Sequence, residues 1–427
     1  MQLLISLLNF CFFSLILAIV GNSISLGQIV LGPVDDTSVE TSVDSDFFRN
    51  SNKTASNPSS TASKSSASKK PESLEKRLKN LGRLYEDEDN PVIQELWFLG
   101  RYHGQYYDAA GNVGASNAWE DRRFRIGSQA QLFEKLTLHA QMVSGSDFQP
   151  FYNGFTELWW QWSFDDSLRF TVGQQKHRFT HDRNVSSRYL NTLERSMLVN
   201  MFNADYTPAI TLSGQAESVT YYTGIFSNAT GPDMWRAFTE YDSGYSLLSS
   251  VTGELGTALG TDAADLNFCY VYSDANQNAT NLNRFRNGIS AALILTQGTG
   301  ALVSEALIGL QSENGDAYGV NIQPSYFLTE KLQLATRYQG AFSSDNVGLF
   351  PQRRYERPSG LTNGEVYQAG YAGLNYYIAG HRIKLMHGLE FADMSGQNLW
   401  TASVAVRVFW GPNARGPFPI TSLLESD

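Results

Sequence analysis

From Pro91 onward, apolar and polar residues alternate with a period of two, the repeat of a β-strand that has one apolar face and one wet face. In Leu96–Tyr106, one face carries Leu96, Phe98, Tyr102 and Tyr106, and the other carries Arg101, His103 and Gln105. Phe124, Ile126, Ala130 and Leu132 alternate with Arg123, Arg125, Gln129 and Gln131. Leu136, Leu138, Ala140 and Met142 alternate with His139 and Gln141, and Leu158, Trp160, Trp162 and Phe164 with Glu157 and Gln161. Leu168, Phe170 and Val172 alternate with Arg169, Thr171 and Gln175. The pattern returns near 209–216, 218–226, 236–242, 244–256, 264–274, 284–296, 300–312, 317–327, 331–342, 365–378, 380–392 and 398–410. This gives roughly sixteen or seventeen strands, most of them near the roughly 9–11 residues that cross a membrane.

Turn signals fall between the strands in two classes. Phe133-Glu134-Lys135, Asp165-Asp166-Ser167 and Leu328-Thr329-Glu330-Lys331 are short, whereas 108–118, 179–207, 275–283 and 343–364 are long. Short turns at one end and long loops at the other predict a closed antiparallel barrel spanning an outer membrane. No long apolar run follows the N-terminus, so membrane-spanning helices are excluded from the mature part. A closed barrel is the other way to cross lipid, because every backbone group finds a partner on a neighbouring strand.

The N-terminal ninety residues read differently. Leu3 to Val20 is apolar, and Gly21, Ser23, Ser25 and Gly27 supply small residues, so 1–27 reads as a signal peptide with Gln28 as the mature start. The Met1-Gln2 start lacks Lys or Arg, which leaves an uncleaved helical anchor as the alternative. Residues 28–72 form a Ser/Thr-rich linker with too little apolar surface to offset its ordering entropy, and they are expected to be disordered. In 73–90, Leu74, Leu78 and Leu81 share one helical face, giving either a short coiled-coil stub or a nascent helix. The barrel is assigned to 91–410 and a tail to 411–427.

Composition sharpens this reading. Aromatics make up 13% of the chain and charged residues 17%, as expected where lipid meets only every second side chain. The net charge of −10 gives no reason to expect nucleic acid as a partner. Cys11 lies in the leader and Cys269 is then alone, so the mature chain has no internal disulfide. The rival all-β reading is a secreted carbohydrate-binding protein. Against it stand an Arg/Gln/His-rich polar face and nearby aromatics at strand ends: Trp97, Tyr106-Tyr107, Tyr221-Tyr222, Tyr376-Tyr377 and Phe409-Trp410.

Nothing in the chain calls for an enzyme, a metal or a cofactor. His177 and His181 are four apart, a metal spacing only on a helix, and at a strand-to-loop junction they read as two histidines in a wet lumen. Asp165-Asp166 reads as a turn, and no serine is singled out beside a histidine. The charged residues instead suit conduction. Arg101, Arg123, Arg125 and Arg169 lie on polar strand faces, which alternation puts inside, because an Arg on a lipid face at mid-membrane costs about 2–4 kcal/mol. Lys176, Arg178, Arg183, Arg188 and Arg195 follow in the next strand end and loop, beside Asp182, Glu194 and Asp205. Folded inward, that loop would set opposed charges across the narrowest section. Two outcomes compete: an arginine wall that draws anions in, or neutralisation by Glu157, Asp182, Glu194 and Asp205.

The stretch from about 96 to 226 resembles the phosphate-selective porin O and P family. The likeness is carried by Asp121-Arg122-Arg123-Phe124-Arg125-Ile126-Gly127, then by Leu168-Arg169-Phe170-Thr171-Val172-Gly173-Gln174-Gln175-Lys176. Ser186-Ser187 with Leu193-Glu194-Arg195-Ser196 and Tyr221-Tyr222-Thr223-Gly224-Ile225-Phe226-Ser227-Asn228 complete it. The resemblance implies a sixteen-stranded homotrimeric porin with an inward-folded third loop, passing small hydrophilic solutes or anions such as phosphate. Its partners would be outer-membrane lipid and the barrel assembly machinery, which would recognise the closing strand Leu399–Trp410 by its terminal aromatic. The chain departs from the family where His177-Arg178 stands in place of a proline, and where only Lys135, Lys176, Lys331 and Lys384 supply lysine after Pro91.

Overall fold

The computed structural model describes residues 78–412; the expected signal peptide, linker and most of the tail lie outside them. A short strand, β1 (Arg83–Glu86), precedes the barrel. The barrel strands begin with β2 (Ile93–Gly111), β3 (Ala115–Leu132), β4 (Leu136–Val143), β5 (Phe155–Asp165), β6 (Leu168–Lys176), β7 (Tyr206–Ala216), β8 (Val219–Ser227) and β9 (Gly244–Glu254). They continue with β10 (Ala263–Ala275), β11 (Asn287–Gln297), β12 (Gly300–Leu310), β13 (Ala317–Thr329), β14 (Leu332–Ser343), β15 (Val366–Ala379), β16 (Ile383–Met394) and β17 (Gln397–Trp410). Each pairs antiparallel with its neighbours, and β17 pairs with β2 from Trp410↔Gly100 to Leu399↔Gly111. The result is a closed barrel of sixteen strands. No helix of the described residues is long and apolar enough to cross a membrane. Closure satisfies the backbone instead.

Alternation decides which way each side chain points. In β15, Val366, Leu374, Tyr376 and Ile378 are exposed on the outer surface, while Tyr367, Tyr371, Asn375 and Tyr377 are buried inside. Trp400 and Val404 are exposed on β17, and Arg407 and Phe409 are buried. The outer face is therefore apolar, as a lipid-facing wall requires. Asp165 shows why the short turns are short: its Oδ1 accepts from the N–H groups of Ser167 (2.8 Å) and Leu168 (3.1 Å), closing the turn locally.

Several expectations change. The strand expected at 236–242 is loop and helix α3 (Arg236–Thr239), where an Arg236–Glu240 pair at 2.6 Å supports the turn. The loop expected at 108–118 is mostly strand, because β2 and β3 run 19 and 18 residues and leave only 112–114 between them. Within the expected helical stub at 73–90, β1 pairs with β2 at Arg83↔Trp97, Tyr85↔Leu96 and Glu86↔Glu95. It takes the edge of β2 where β17 stops, sealing the seam. The aromatic pairs do not all face lipid: Trp97, Tyr221, Tyr222, Tyr377 and Phe409 are buried.

Candidate functional site

The passage is defined by one loop. Residues 177–205, between β6 and β7, carry helices α1 (His181–Asn184) and α2 (Met197–Met201) and lie inside the barrel. One flank is apolar. Phe179, Met197, Leu198, Met201 and Phe202 are buried in a cluster with Leu248, Val271, Phe285 and Leu307, inward residues of β9, β10 and β12 and of a neighbouring loop. The Phe179, Phe202 and Phe285 rings meet in a chain, edge-to-face and then tilted, with centroids 4.8 and 4.9 Å apart. Burying this flank against the far wall supplies the apolar free energy that holds the loop inward.

The other contacts are polar. A loop inside a barrel carries carbonyls and N–H groups that need partners. The wall provides them as charged side chains. Glu305 of β12 accepts from the N–H groups of His181 (2.6 Å) and Asp182 (3.2 Å) and from the Ser290 hydroxyl (2.6 Å). Arg337 donates to the Glu194 carbonyl at 2.7 Å and pairs with Glu390 at 2.6 Å. Lys384 donates to the Leu190 carbonyl at 2.7 Å, Asn375 to the Asn191 carbonyl at 2.8 Å, and Arg407 to the Leu193 carbonyl. Sequence reading did not single out Glu305, Arg337, Lys384 or Arg407 for this role. Their inward position follows from alternation, but their partners lie up to 214 residues away along the chain.

With the loop against β9–β17, free space remains along β3–β6. The inward residues Gln129, His139, Glu157, Trp159 and Gln161 there are only partly covered. Arg101 and Arg125 are directly paired across the β2–β3 ladder. Arg101 donates to the Ser187 hydroxyl at 3.0 Å, and Arg125 to the Tyr206 hydroxyl at 2.8 Å. A register shift between His103 and Gly104 leaves Arg122 as an extra residue on β3. A bulge of this kind lets two consecutive residues share a face. Arg123 approaches His103 at 3.4 Å, and Arg122 forms a two-point pair with Glu194 at 2.5 and 3.0 Å. Burial pushes the Glu194 carboxyl up, but Arg122 outweighs it and holds the group below the usual carboxylate range.

The remaining expected site residues separate. Arg169 is at the short-turn end, 3.3 Å from Asp166, away from the loop. Lys176 is buried and donates to the carbonyls of Asn184 (3.1 Å) and Val185 (3.3 Å), closing the end of α1. Arg195 bonds the Asp182 and Val185 carbonyls at 2.9 and 2.6 Å. Arg183 pairs with Asp205 at 3.1 Å. Arg178 lies over the Tyr222 ring at 5.8 Å. Arg188 lies over the Phe409 ring at 4.8 Å and donates to the Pro412 carbonyl at 2.9 Å. Most of the loop's bases are therefore fasteners of the loop itself. His177 and His181 are buried rather than wet, and burial pushes them down to about 3 and about 4, so both are neutral near pH 7. Among the described residues no group of His, Cys, Asp and Glu is placed to hold a metal ion.

One set of donors is left over. Arg101 Nε, Arg125 Nε, Arg188 Nε and Gln141 Nε2 are buried and have no acceptor among the described residues. Arg101 comes within 3.5 Å of the Gln141 side-chain amide oxygen, and Arg188 and Arg125 lie close enough to act on its charge. Buried donors without acceptors are costly, at about 1–3 kcal/mol each, and more when charged.

The model of the family "phosphate-selective porin O and P" matches residues 99–253, the part of the chain that holds β2–β9 and the inward loop. No curated protein matches the sequence. The fold resembles OprB of Pseudomonas putida with a TM-score of 0.55 and 11% identity, over 74% of this chain and 94% of that one. OmpF of Salmonella typhi, solved with daunomycin, gives a TM-score of 0.54 at 9% identity, over 76% and 99%. The outer-membrane channel DcaP of Acinetobacter baumannii gives 0.50 at 10% identity, over 77% and 100%. The likeness to these solved structures is one of fold, that of outer-membrane β-barrels.

Proposed function

We propose that this chain is an outer-membrane porin that lets small hydrophilic solutes cross by passive diffusion, with a preference for anions. The observation that carries the preference is the cluster of unpartnered buried donors on Arg101, Arg125, Arg188 and Gln141, set beside the free space along β3–β6. The opposing acids are Glu157, which acts on all three guanidiniums, and Asp205, which acts on Arg125 and is itself paired with Arg183. In a low-dielectric passage the local charges outweigh the molecule's net charge of −10. Phosphate is one candidate anion, supported by the family's description. Export through the N-terminal signal and assembly as a homotrimer by the barrel assembly machinery belong to the same reading, on the family resemblance.

The test is conductance of the purified protein in a planar bilayer. Discrete, long-lived steps and a reversal potential of anion-selective sign in a potassium chloride gradient are expected. A cation-selective reversal potential would remove the anion preference and the phosphate reading together. Absence of conductance would remove the pore.

A further inference from the structure

Below the donor cluster, toward the short-turn end, the open wall changes character. Trp97, Gln129, His139 and Trp159 occupy neighbouring positions on four successive strands, in the register Trp97↔Gln129↔His139↔Trp159. All four are inward by alternation. The His139 ring is stacked on the Trp159 indole, centroids 4.8 Å apart and only 6° from parallel, and its Nδ1 is 3.2 Å from the Gln129 side-chain oxygen. That leaves His139 Nε2 without a partner. Across the next ladder Trp159 faces Gly173, so β6 offers no side chain to cover the indole's second face. One step further, Gln161 donates to the Thr171 hydroxyl at 2.9 Å.

Between Glu157 and Arg169, then, the inward positions of β3–β6 carry amides, hydroxyls, an imidazole and an indole, and no charge. An aromatic face flanked by neutral groups able both to donate and to accept is the chemistry that holds a sugar ring: apolar C–H groups meet the indole, and hydroxyls meet the amides. Gln141, which meets Arg101, follows His139 of the inward row by two residues on β4, about 7 Å along the strand. One small molecule can therefore touch both the donor cluster and the indole.

We infer that the preferred solute is a monosaccharide bearing an anionic group, a phosphate or a carboxylate. The charge sits on the Arg101/Arg125/Arg188 donors and the ring on Trp159. This rests on the anion-preferring pore proposed above and names its substrate class.

The experiment is block of single-channel current by four probes: glucose 6-phosphate, glucuronate, inorganic phosphate and glucose. Glucose 6-phosphate is expected to block at concentrations roughly fivefold lower than inorganic phosphate, the size of one good aromatic contact, and glucose only weakly. Glucuronate should follow glucose 6-phosphate if the charge alone matters, and inorganic phosphate if the phosphate geometry is required. Trp159→Ala should abolish the fivefold advantage and leave inorganic phosphate block unchanged, which also certifies that the variant is folded and open. Trp159→Phe should restore part of it. Equal block by glucose 6-phosphate and inorganic phosphate, or an advantage that survives Trp159→Ala, overturns the inference and leaves the pore standing. A protein that never conducts overturns both.

Discussion

Arg101 and Arg125 owe their role to two residue-level facts: alternation turns both inward, and neither is paired with a carboxylate. Each charge, about 10 Å from a passing ion at an effective dielectric near 20, contributes on the order of 1–2 kcal/mol. Arg101→Ala with Arg125→Ala should therefore lower the anion-to-cation permeability ratio severalfold, read as a shift in reversal potential. Arg169→Ala, at the short-turn end and beside Asp166, should change it little. A larger effect at Arg169 would move the selective section away from the loop. A second residue sets a pH dependence. Burial, reinforced by Glu390, pushes the Glu356 carboxyl up to about 7, against hydrogen bonds from the Tyr367 hydroxyl and the Gln352 N–H. The folded state holds this proton more tightly than the unfolded chain does, so stability falls as pH rises from about 4.5 to about 7 and is flat beyond. Glu356→Gln should flatten that interval in thermal melts taken across it; an unchanged slope would assign it to another group.

At the scale of elements, the inward loop is held by two unlike flanks, and the polar one can be cut separately. Glu305→Ala leaves the His181 and Asp182 N–H groups without their acceptor, at about 1–3 kcal/mol for each buried group. The barrel should still form, because its ladders are untouched. The loop should become cleavable by added protease, and the open-channel current noisier. Glu305→Gln, which keeps an acceptor oxygen, should fall between. A loop as resistant as the parent's would mean that the Phe179/Phe202 flank alone fixes it. The strands themselves were legible, since Leu/Trp/Trp/Phe against Glu/Gln on β5 admits one assignment of faces. Trp159 escaped because alternation was read from its apolar neighbours Trp160 and Trp162, so a third tryptophan on the wet face went unmarked. Arg122 escaped because a bulge adds a residue without altering the composition around it. The apparent strand at 236–242 failed for the opposite reason: seven residues of alternation fit a turn of helix once Arg236 can reach Glu240.

For the whole molecule, closure is the decisive event, and its seam is built from both ends of the described chain. β17 pairs with β2 as far as Gly100, β1 covers β2 from Trp97 to Glu95, and the Gly411 N–H bonds the Leu81 carbonyl at 3.0 Å. Gly82 and Gly411 both adopt positive φ, +93° and +106°, at this junction, where a side chain would be strained and, at Gly82, would meet the Phe98 carbonyl. Truncation after Pro412 should leave assembly intact, whereas truncation after Val408 removes Phe409, on which Arg188 and Arg382 rest, and should prevent it. Heat-modifiable migration on unheated gels reads both, and also shows whether three copies stay together. Val404→Lys on the lipid face should impair assembly by about 2–4 kcal/mol if the site is near mid-membrane, while Thr401→Lys, facing inward, should be tolerated better. Equal tolerance would mean that the outer face does not meet lipid.

The sequence by itself determined the barrel, its approximate strand number, the two classes of connection and the inward sense of Arg101, Arg123 and Arg125. All of these are consequences of a period-two pattern, which is local: each residue's face depends on its immediate neighbours. Tertiary structure alone decided which inward charges remain free. Lys176, Arg195, Lys384 and Arg407 are spent on carbonyls of the inward loop, while Arg101 and Arg125 bond the Ser187 and Tyr206 hydroxyls and each keep an Nε without an acceptor. Hydrogen-bond partnership between segments up to 214 residues apart carries no periodic trace in the chain. It exists only once the barrel has closed and the loop has somewhere to fold.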